Sequence, residues 1–429
     1  MENKIKRLKP NESEIPQCKH FVSRKKRFCK MTVKLGEEYC GEHMPSCTSN
    51  SVDSSDKSLR IVCPLDRKHT CYAHKLAKHL KICNAREKES VPYLIRGINC
   101  GEVTLENTSD KIDNHSLRNY SVEEIKNVIN KIRKLHDDVL KIEITEKILT
   151  HPLIEEEMTK PELGDKSKKH LIQTSSILGY LKDYDLIKSE TCFIEFGAGK
   201  GKLSFWMANA LEKVNNSIVL LIEKASLRHK MDNKLDKTNG NVQRIRADIA
   251  DLVLQKVEIL KDAKGIVAVT KHLCGDATDL ALRCIKNYQD AGNMVNGIVM
   301  AFCCHHRCQW TAYTGKDFFT ENDINRKDFD IMRSIISWAT CGTGFSRDKN
   351  KEIDSDFYRN NLDTLSERDK AIGLSRHEKE VIGKKCKELV NYGRLKYLEN
   401  NGFKCELHFY VNPDVSLENL CIVAYKENK

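Results

Sequence analysis

The sequence predicts an α/β protein: a mostly parallel sheet covered by helices on both faces, with two small metal-dependent units ahead of it. Three observations predict this. From about residue 190 onward, apolar strand-like runs alternate with amphipathic helical patterns, as in a parallel sheet with crossover helices. A glycine-rich turn, Glu195-Phe-Gly197-Ala-Gly199-Lys-Gly201, directly follows the first of those strands. Eight of the 18 cysteines fall in the first 100 residues, interleaved with histidines, a pattern that asks for a metal before a redox explanation.

The 429 residues exceed one compact domain and point to two or three. With 40% hydrophobic and 31% charged residues, the chain can bury a core and stay in solution, which excludes wholly disordered and collagen-like classes. No run of about 18 uncharged apolar residues occurs, so no transmembrane helix is expected. Met1–Pro10 is charged and lacks the apolar stretch of a secretory signal. An intracellular setting, cytoplasmic or nuclear, with reduced thiols is therefore expected. Residues 1–90 hold 20 Lys/Arg against 11 Asp/Glu, most of the net charge of +11. A basic appendage beside a near-neutral body suits a polyanionic partner; a solvated lysine-rich tail is the plain alternative.

The first unit, residues 1–47, carries Cys18-x10-Cys29-x10-Cys40-x2-His43. Three thiolates and one imidazole match a tetrahedral structural zinc site. Some forty residues with few large apolar side chains cannot build a core unaided, so a metal cross-link is physically needed. Arg24, Lys25, Lys26 and Arg27 offset the net negative site, and His20 and Cys47 stand by as spare donors. Residues 48–58 read as a polar linker. The second unit, residues 59–90, carries Cys63-x5-His69-x9-His79-x3-Cys83. His79 and Cys83, four apart, share one face of a helix predicted over Tyr72–Ile82, and a loop or hairpin from Pro64 flanks Cys63 and His69. Cys71 and His74 compete less well in spacing.

Residues 100–118 read as loop. From Ser121 to about His151 the pattern is helical, with Ile125, Ile129, Ile132, His136 and Val139 at heptad-like spacing and Ser121/Glu124 as a capping box. A connector over residues 119–160, a packed helix or helical hairpin as readily as a coiled coil, is expected. The main domain, residues 165–429, has strands expected at Cys192–Phe196, Ile218–Ile222, Val242–Ile245, Ile266–Thr270 and Gly297–Phe302. Phe403–Val411 and Leu420–Tyr425, joined by Asn412-Pro413-Asp414, read as an antiparallel pair at the sheet edge. The roughly hundred residues 303–402 are too many for a simple crossover and read as a helical, substrate-facing insertion.

The glycine turn admits three readings. A Walker A loop fails because Leu203 follows Gly201-Lys202, and the dinucleotide fingerprint fails because its third glycine comes one residue early. The pattern E-x-G-x-G-x-G is that of class I S-adenosylmethionine-dependent methyltransferases, with a Rossmann-like seven-stranded sheet. Glu195, Gly197, Gly199 and Gly201 are its candidate cofactor residues. Glu223 ends the second strand, where an acid takes both ribose hydroxyls, and Asp248 follows the third, within reach of an adenine amino group. Lys271-His272-Leu-Cys-Gly275 ends the fourth.

The second unit resembles the CHHC zinc finger of U11-48K-type splicing proteins and of eukaryotic tRNA 2′-O-methyltransferases; the first resembles the CCCH finger preceding it in the latter. Matching segments extend to Lys169-His-Leu-Ile-Gln173 with Ser176-Ile-Leu-Gly179, Lys271 to Asp279, and Cys303-Cys-His-His306. The resemblance spans nearly the whole chain. It implies transfer of a methyl group from S-adenosylmethionine to the ribose 2′-hydroxyl of the fourth acceptor-stem nucleotide of tRNA, with glycine, proline and histidine tRNAs as substrates, two structural zinc ions, and fingers that contact RNA. A non-enzymatic zinc-finger RNA-binding or splicing protein, or a methyltransferase of another RNA, is the rival reading.

A ribose hydroxyl is a weak acid, so the transfer needs a base with a depressed pKa. Lys271, His272 and His305 are the candidate catalytic residues, with His306 beside them. Of the K-D-K-E tetrad that many ribose methyltransferases use, only Lys169 and Asp276 are offered as members. The run Cys303, Cys304, His305, His306, Cys308 is too crowded for an ordinary chelate loop and reads as a pocket wall. The sequence gives no oligomeric state.

Overall fold

The computed structural model describes residues 16–22, 27–33, 36–40, 43, 60–83, 91–101, 117–140, 144–225, 234, 241–340 and 370–427. Two compact units divide after Val91. The predicted linker at 48–58, the basic run Arg24–Lys26 and Cys47 lie outside the described residues.

In the first unit, β1 (Phe21–Val22) and β2 (Arg27–Phe28) form a short antiparallel hairpin. Its buried apolar set is Cys18, Cys29, Val33 and Cys40, with Val22 and Tyr39 packed against it. Three of four core members are thus thiols. A second hairpin, β3 (Arg60–Cys63) and β4 (Asp66–Tyr72), turns at Pro64-Leu65 as the sequence implies. A 3-10 turn follows, and helix α1 (Leu76–Ile82) begins four residues later than expected.

The second unit is organised around one sheet of eight strands in the order β5-β11-β12-β10-β9-β6-β7-β8. Its members are β5 (Thr145–Glu146), β6 (Thr191–Phe196), β7 (Ile218–Glu223), β8 (Val242–Arg246), β9 (Gly265–Cys274), β10 (Val295–Cys303), β11 (Lys404–Phe409) and β12 (Leu420–Tyr425). Strands β6 to β10 run parallel, and β12 pairs antiparallel with both β10 and β11. The sequence predicts seven strands; the eighth is β5, two residues that pair parallel with His408 and Phe409 at the end of β11.

All six residues of β6 are buried, and alternate side chains serve opposite faces. Cys192, Ile194 and Phe196 join one apolar layer, Phe193 the other. The layer around Phe193 is closed by α3 (Pro152–Met158), α4 (Asp165–Asp183) and α5 (Lys202–Ala210). The opposite layer takes α2 (Val122–Val139), α6 (Asp276–Asp290), α7 (Lys316–Glu321), α8 (Arg326–Thr340) and α9 (Arg376–Asn400).

The capping box forms as expected: Glu124 N donates to Ser121 Oγ at 3.1 Å, and Ser121 N to Glu124 Oε2 at 2.6 Å. The helix it starts does not run to His151. It ends at Val139, the chain passes through β5, and a new helix begins at Pro152, whose fixed φ and missing N–H suit a first turn. Nor is α2 a coiled-coil spacer. Ile125, Val128, Ile129, Ile132 and Leu135 enter the sheet's own core, and His136 Nε2 lies 2.7 Å from Glu388 Oε2 on α9. The described helices of the 303–402 stretch likewise bury Phe319, Phe329, Met332 and Leu389 in that core, so they complete the body.

Candidate cofactor cradle and metal centres

In the first finger, Cys18, Cys29, Cys40 and His43 converge, with their ligand atoms all within 4.8 Å of one another. His43 Nδ1 lies 3.3 Å from Cys40 Sγ and 3.5 Å from Cys18 Sγ, and the Cys29 and Cys40 sulfurs are 4.0 Å apart. A zinc tetrahedron with bonds of about 2.0–2.3 Å has edges of roughly 3.5–3.8 Å, so the donor set fits zinc. His20 is not in the cluster: its ring stacks on that of His43 at 3.9 Å. In the second finger Cys63, His79 and Cys83 converge, with Cys63 Sγ 3.7 Å from Cys83 Sγ and 3.2 Å from His79 Nε2. His69 sits on β4, and its side chain lies outside the described residues.

The glycine turn leaves β6 and enters α5 with Gly197, Gly199 and Gly201 all at positive φ (67°, 52° and 73°). Only glycine takes three such positions without strain. A Cβ on Gly197 would meet Leu273 Cδ1 at 2.7 Å, whereas one on Gly199 would meet nothing nearer than the Gly197 carbonyl at 4.0 Å. The face over Gly199 is open, as a cofactor cradle requires. Glu223, at the end of β7, accepts from Gly199 N at 2.8 Å and Ala225 N at 2.7 Å, which leaves lone pairs for hydroxyl donors. Asp248 accepts from Ala250 N at 3.1 Å and ion-pairs with Lys224. These residues fit S-adenosylmethionine in type and place.

Glu195 needs correcting. The motif places it among the cofactor contacts, yet it is buried, and its Oε2 accepts both the backbone N–H and the hydroxyl of Ser204. Burial pushes its pKa up to about 7. Its role is to pin the first turn of α5 beneath the glycines. Arg244 of β8, which no motif singled out, holds the same loop by donating to the Gly199 carbonyl at 3.1 Å.

Lys271 stands near the end of β9. The last registered pair of β6 and β9 is Glu195↔Val269, and Gly197 and Lys271 each follow it by two residues, Gly197 in the turn just past the end of β6. Its Nζ donates to Thr174 Oγ1 at 2.9 Å and the His170 carbonyl at 3.1 Å, both on α4. Burial lowers its pKa to about 8, against the opposing pull of Glu195. A neutral amine has two N–H bonds and one lone pair; the two acceptors use the first and leave the second free. Lys271 lines a cavity of about 430 Å³ with His170, Lys202, Phe205 and Trp206, where Glu157 pairs with Lys160.

His272, also at positive φ (63°), points its Nε2 at Gln173 Oε1, 2.8 Å away. Burial, then the charge of Lys271, pushes its pKa down to about 4. Gln173 and Thr174 lie in or beside the 169–173 segment, so a signal for them was present in the sequence. His305 is the second correction. It is 1% exposed, with Nε2 3.1 Å from Asn391 Oδ1 and Nδ1 3.5 Å from Glu418 Oε2, and it cannot reach an external hydroxyl. His306 is exposed. Lys169 donates to the Asp414 carbonyl at 2.7 Å on the outside of α4, and Asp276 accepts from Gln309 N at 2.6 Å, so the two guessed tetrad members hold loops.

A family model described as "Methyltransferase TRM13" matches residues 172–425. Models for a CCCH zinc finger in TRM13 protein and a U11-48K-like CHHC zinc finger match residues 16–44 and 60–84. The mouse protein named "tRNA:m(4)X modification enzyme TRM13 homolog" is 36% identical over 95% of this chain and 94% of its own length. The human protein of the same name is 36% identical with the same coverage. Among solved structures, a precorrin-6Y C5,15-methyltransferase from Geobacter metallireducens aligns with 12% identity over 59% of this chain and 88% of its own, at a TM-score of 0.28, too low to carry any argument.

Proposed function

The chain belongs to the TRM13 methyltransferase family, and from that membership we propose that it methylates the ribose 2′-hydroxyl of the fourth nucleotide in the acceptor stem of tRNA, with glycine, proline and histidine tRNAs as substrates. The single observation that carries the chemistry is the juxtaposition of the open glycine cradle with Lys271, two residues past the last registered pair on the adjoining strand. Bound S-adenosylmethionine supplies a methyl carbon already activated by a sulfonium. The chain's own residues must then place the ribose and take its proton. Lys271 is the base: held by Thr174 and the His170 carbonyl, its neutral amine turns its lone pair to the incoming hydroxyl. His272 is a positioning residue that ties β9 to Gln173. Lys202 and His170 offer donors to phosphate oxygens, and Phe205 and Trp206 offer stacking faces.

In this reading the zinc fingers, in residues 1–47 and 59–90, grip the RNA backbone and residues 165–429 perform the transfer, with 119–160 built into the same body. Among the described residues no helix is long and apolar enough to cross a membrane; the proposed compartment is cytoplasmic or nuclear, where tRNA is found. The test is incubation of the full chain with S-adenosylmethionine and unmodified tRNA, followed by alkaline hydrolysis. A ribose methyl removes the nucleophile that alkali needs, so one linkage at position four resists cleavage. A methylated base with every linkage cleaved would overturn the ribose assignment. Failure to bind S-adenosylmethionine by calorimetry would leave the non-enzymatic rival standing.

A further inference from the structure

We propose that Cys274, Cys303 and Cys304 form a third metal site, a tri-thiolate centre for a divalent zinc-class cation at the open end of the sheet. Neither finger contributes to it, and it does not depend on the methyl-transfer reading. Cys274 ends β9 and Cys303 ends β10, and the two are registered partners across that parallel pair. Their sulfurs lie 3.2 Å apart, and Cys304 Sγ lies 3.4 Å from Cys274 Sγ. All three sulfurs fall within 4.8 Å of one another, as do the described donor atoms of each finger.

The crowding that argues against a chelate in the run from Cys303 to Cys308 is removed by the way the chain distributes it. His305 turns inward onto Asn391, and Cys308 turns onto the buried Asp279–Arg394 ion pair. His306 is exposed and stands outside the cluster, Cys303 and Cys304 remain at the strand end, and the third donor comes from Cys274, 29 residues earlier. Cys304 reaches the cluster from a left-handed backbone conformation (φ 53°), one that disfavours any residue with a Cβ. Between them the sites of exposure are graded: Cys303 buried, Cys304 half-buried, Cys274 exposed. Among the described residues a cation held there finds three thiolate ligands, with exposed Cys274 bringing the cluster to the surface, the arrangement of an exchangeable site and not of a closed structural one. Three thiolates and a divalent ion leave one net negative charge, and the charge of Arg307 acts on both Cys274 and Cys304. The class of ion follows from the donors, since thiolates select zinc and its softer neighbours over magnesium or calcium.

The experiment uses the full chain, purified reduced from zinc-supplemented cells. Zinc per chain is measured for wild type, Cys274→Ser, Cys304→Ser and, as a control at a thiol outside the cluster, Cys405→Ser. The expected result is three zinc ions in wild type and C405S and two in C274S and C304S, with unchanged melting temperatures. Cadmium-exchanged wild type should give three cadmium NMR resonances, which keeps the count available even if a variant folds poorly. In C274S the lost resonance should differ from those lost in Cys29→Ser and Cys83→Ser. Two ions in wild type, or equal counts in wild type, C274S and C304S, would overturn the site. So would an intact mass lighter by two hydrogens that maps to a Cys274–Cys303 disulfide.

Discussion

Replacing Lys271 with arginine keeps a cation at the end of β9 but takes away the lone pair that a base needs. The magnitude follows from the lysine's surroundings. With a pKa lowered to about 8 by burial, roughly one amine in ten is neutral at pH 7, and that fraction falls about tenfold for each pH unit below 7. The single-turnover rate, measured with tRNA and S-adenosylmethionine saturating, should therefore climb with pH across 6 to 8 and level off above. The cationic sulfonium disfavours a second positive charge nearby, so the plateau should begin at lower pH in the ternary complex than in the free enzyme. Lys271→Arg and Lys271→Met should each lose about 10²- to 10⁴-fold in rate, the usual worth of a general base, with S-adenosylmethionine affinity within a few-fold of wild type. A flat pH profile between 6 and 9, or an arginine variant within threefold of wild type, would refute the assignment.

Glu195 raises the pKa of Lys271 by its negative charge, so Glu195→Gln, which can still accept from Ser204, should move the rise in the rate profile to lower pH; a shift to higher pH contradicts the coupling. A Cβ at Gly199 meets no atom nearer than 4.0 Å but sits at φ 52°, so Gly199→Ala should cost about 1–2 kcal/mol of stability by denaturant titration while weakening S-adenosylmethionine binding at least tenfold by calorimetry. Asp279 accepts from Arg394 Nη2 at 2.7 Å and from the Thr314 N–H and hydroxyl, all buried. Asp279→Asn should cost about 3–5 kcal/mol, read as a lowered urea midpoint, because it strands the guanidinium. Chelation of the finger zinc should abolish tRNA binding by filter assay and leave S-adenosylmethionine binding intact; unchanged RNA affinity would separate the fingers from substrate capture.

The sequence disclosed what is local. Leu420–Tyr425 is the last strand to the residue, because a short apolar run bounded by polar residues has few other readings. The converging finger donors Cys18, Cys29, Cys40 and His43, and Cys63, His79 and Cys83, follow from spacing, and the glycine turn from the need for three positive φ values in five residues. What stayed hidden depends on long-range direction. His305 and Glu195 both carry chemistry suited to a site, yet each points inward, and only the packing of α9 and α5 against the sheet decides that. Cys274 joins Cys303 through the register of two parallel strands, which no spacing encodes. The helical pattern beyond Val139 reads as continuous because alternation in a two-residue strand such as β5 is too short to register.

That two-residue strand has an effect out of proportion to its length. By lying along β11 it occupies backbone groups that would otherwise template a neighbouring molecule. At the other margin, β8 carries Gln243, Arg244 and Arg246 on its short span, and Gln243 and Arg246 are exposed. One border is latched over its last two residues and the other carries exposed polar and charged side chains, and both features disfavour edge-to-edge pairing with a second molecule. Loss of the Thr145–Glu146 clasp should therefore register first as polymerisation at high concentration, before any change in how a single molecule turns over its substrate.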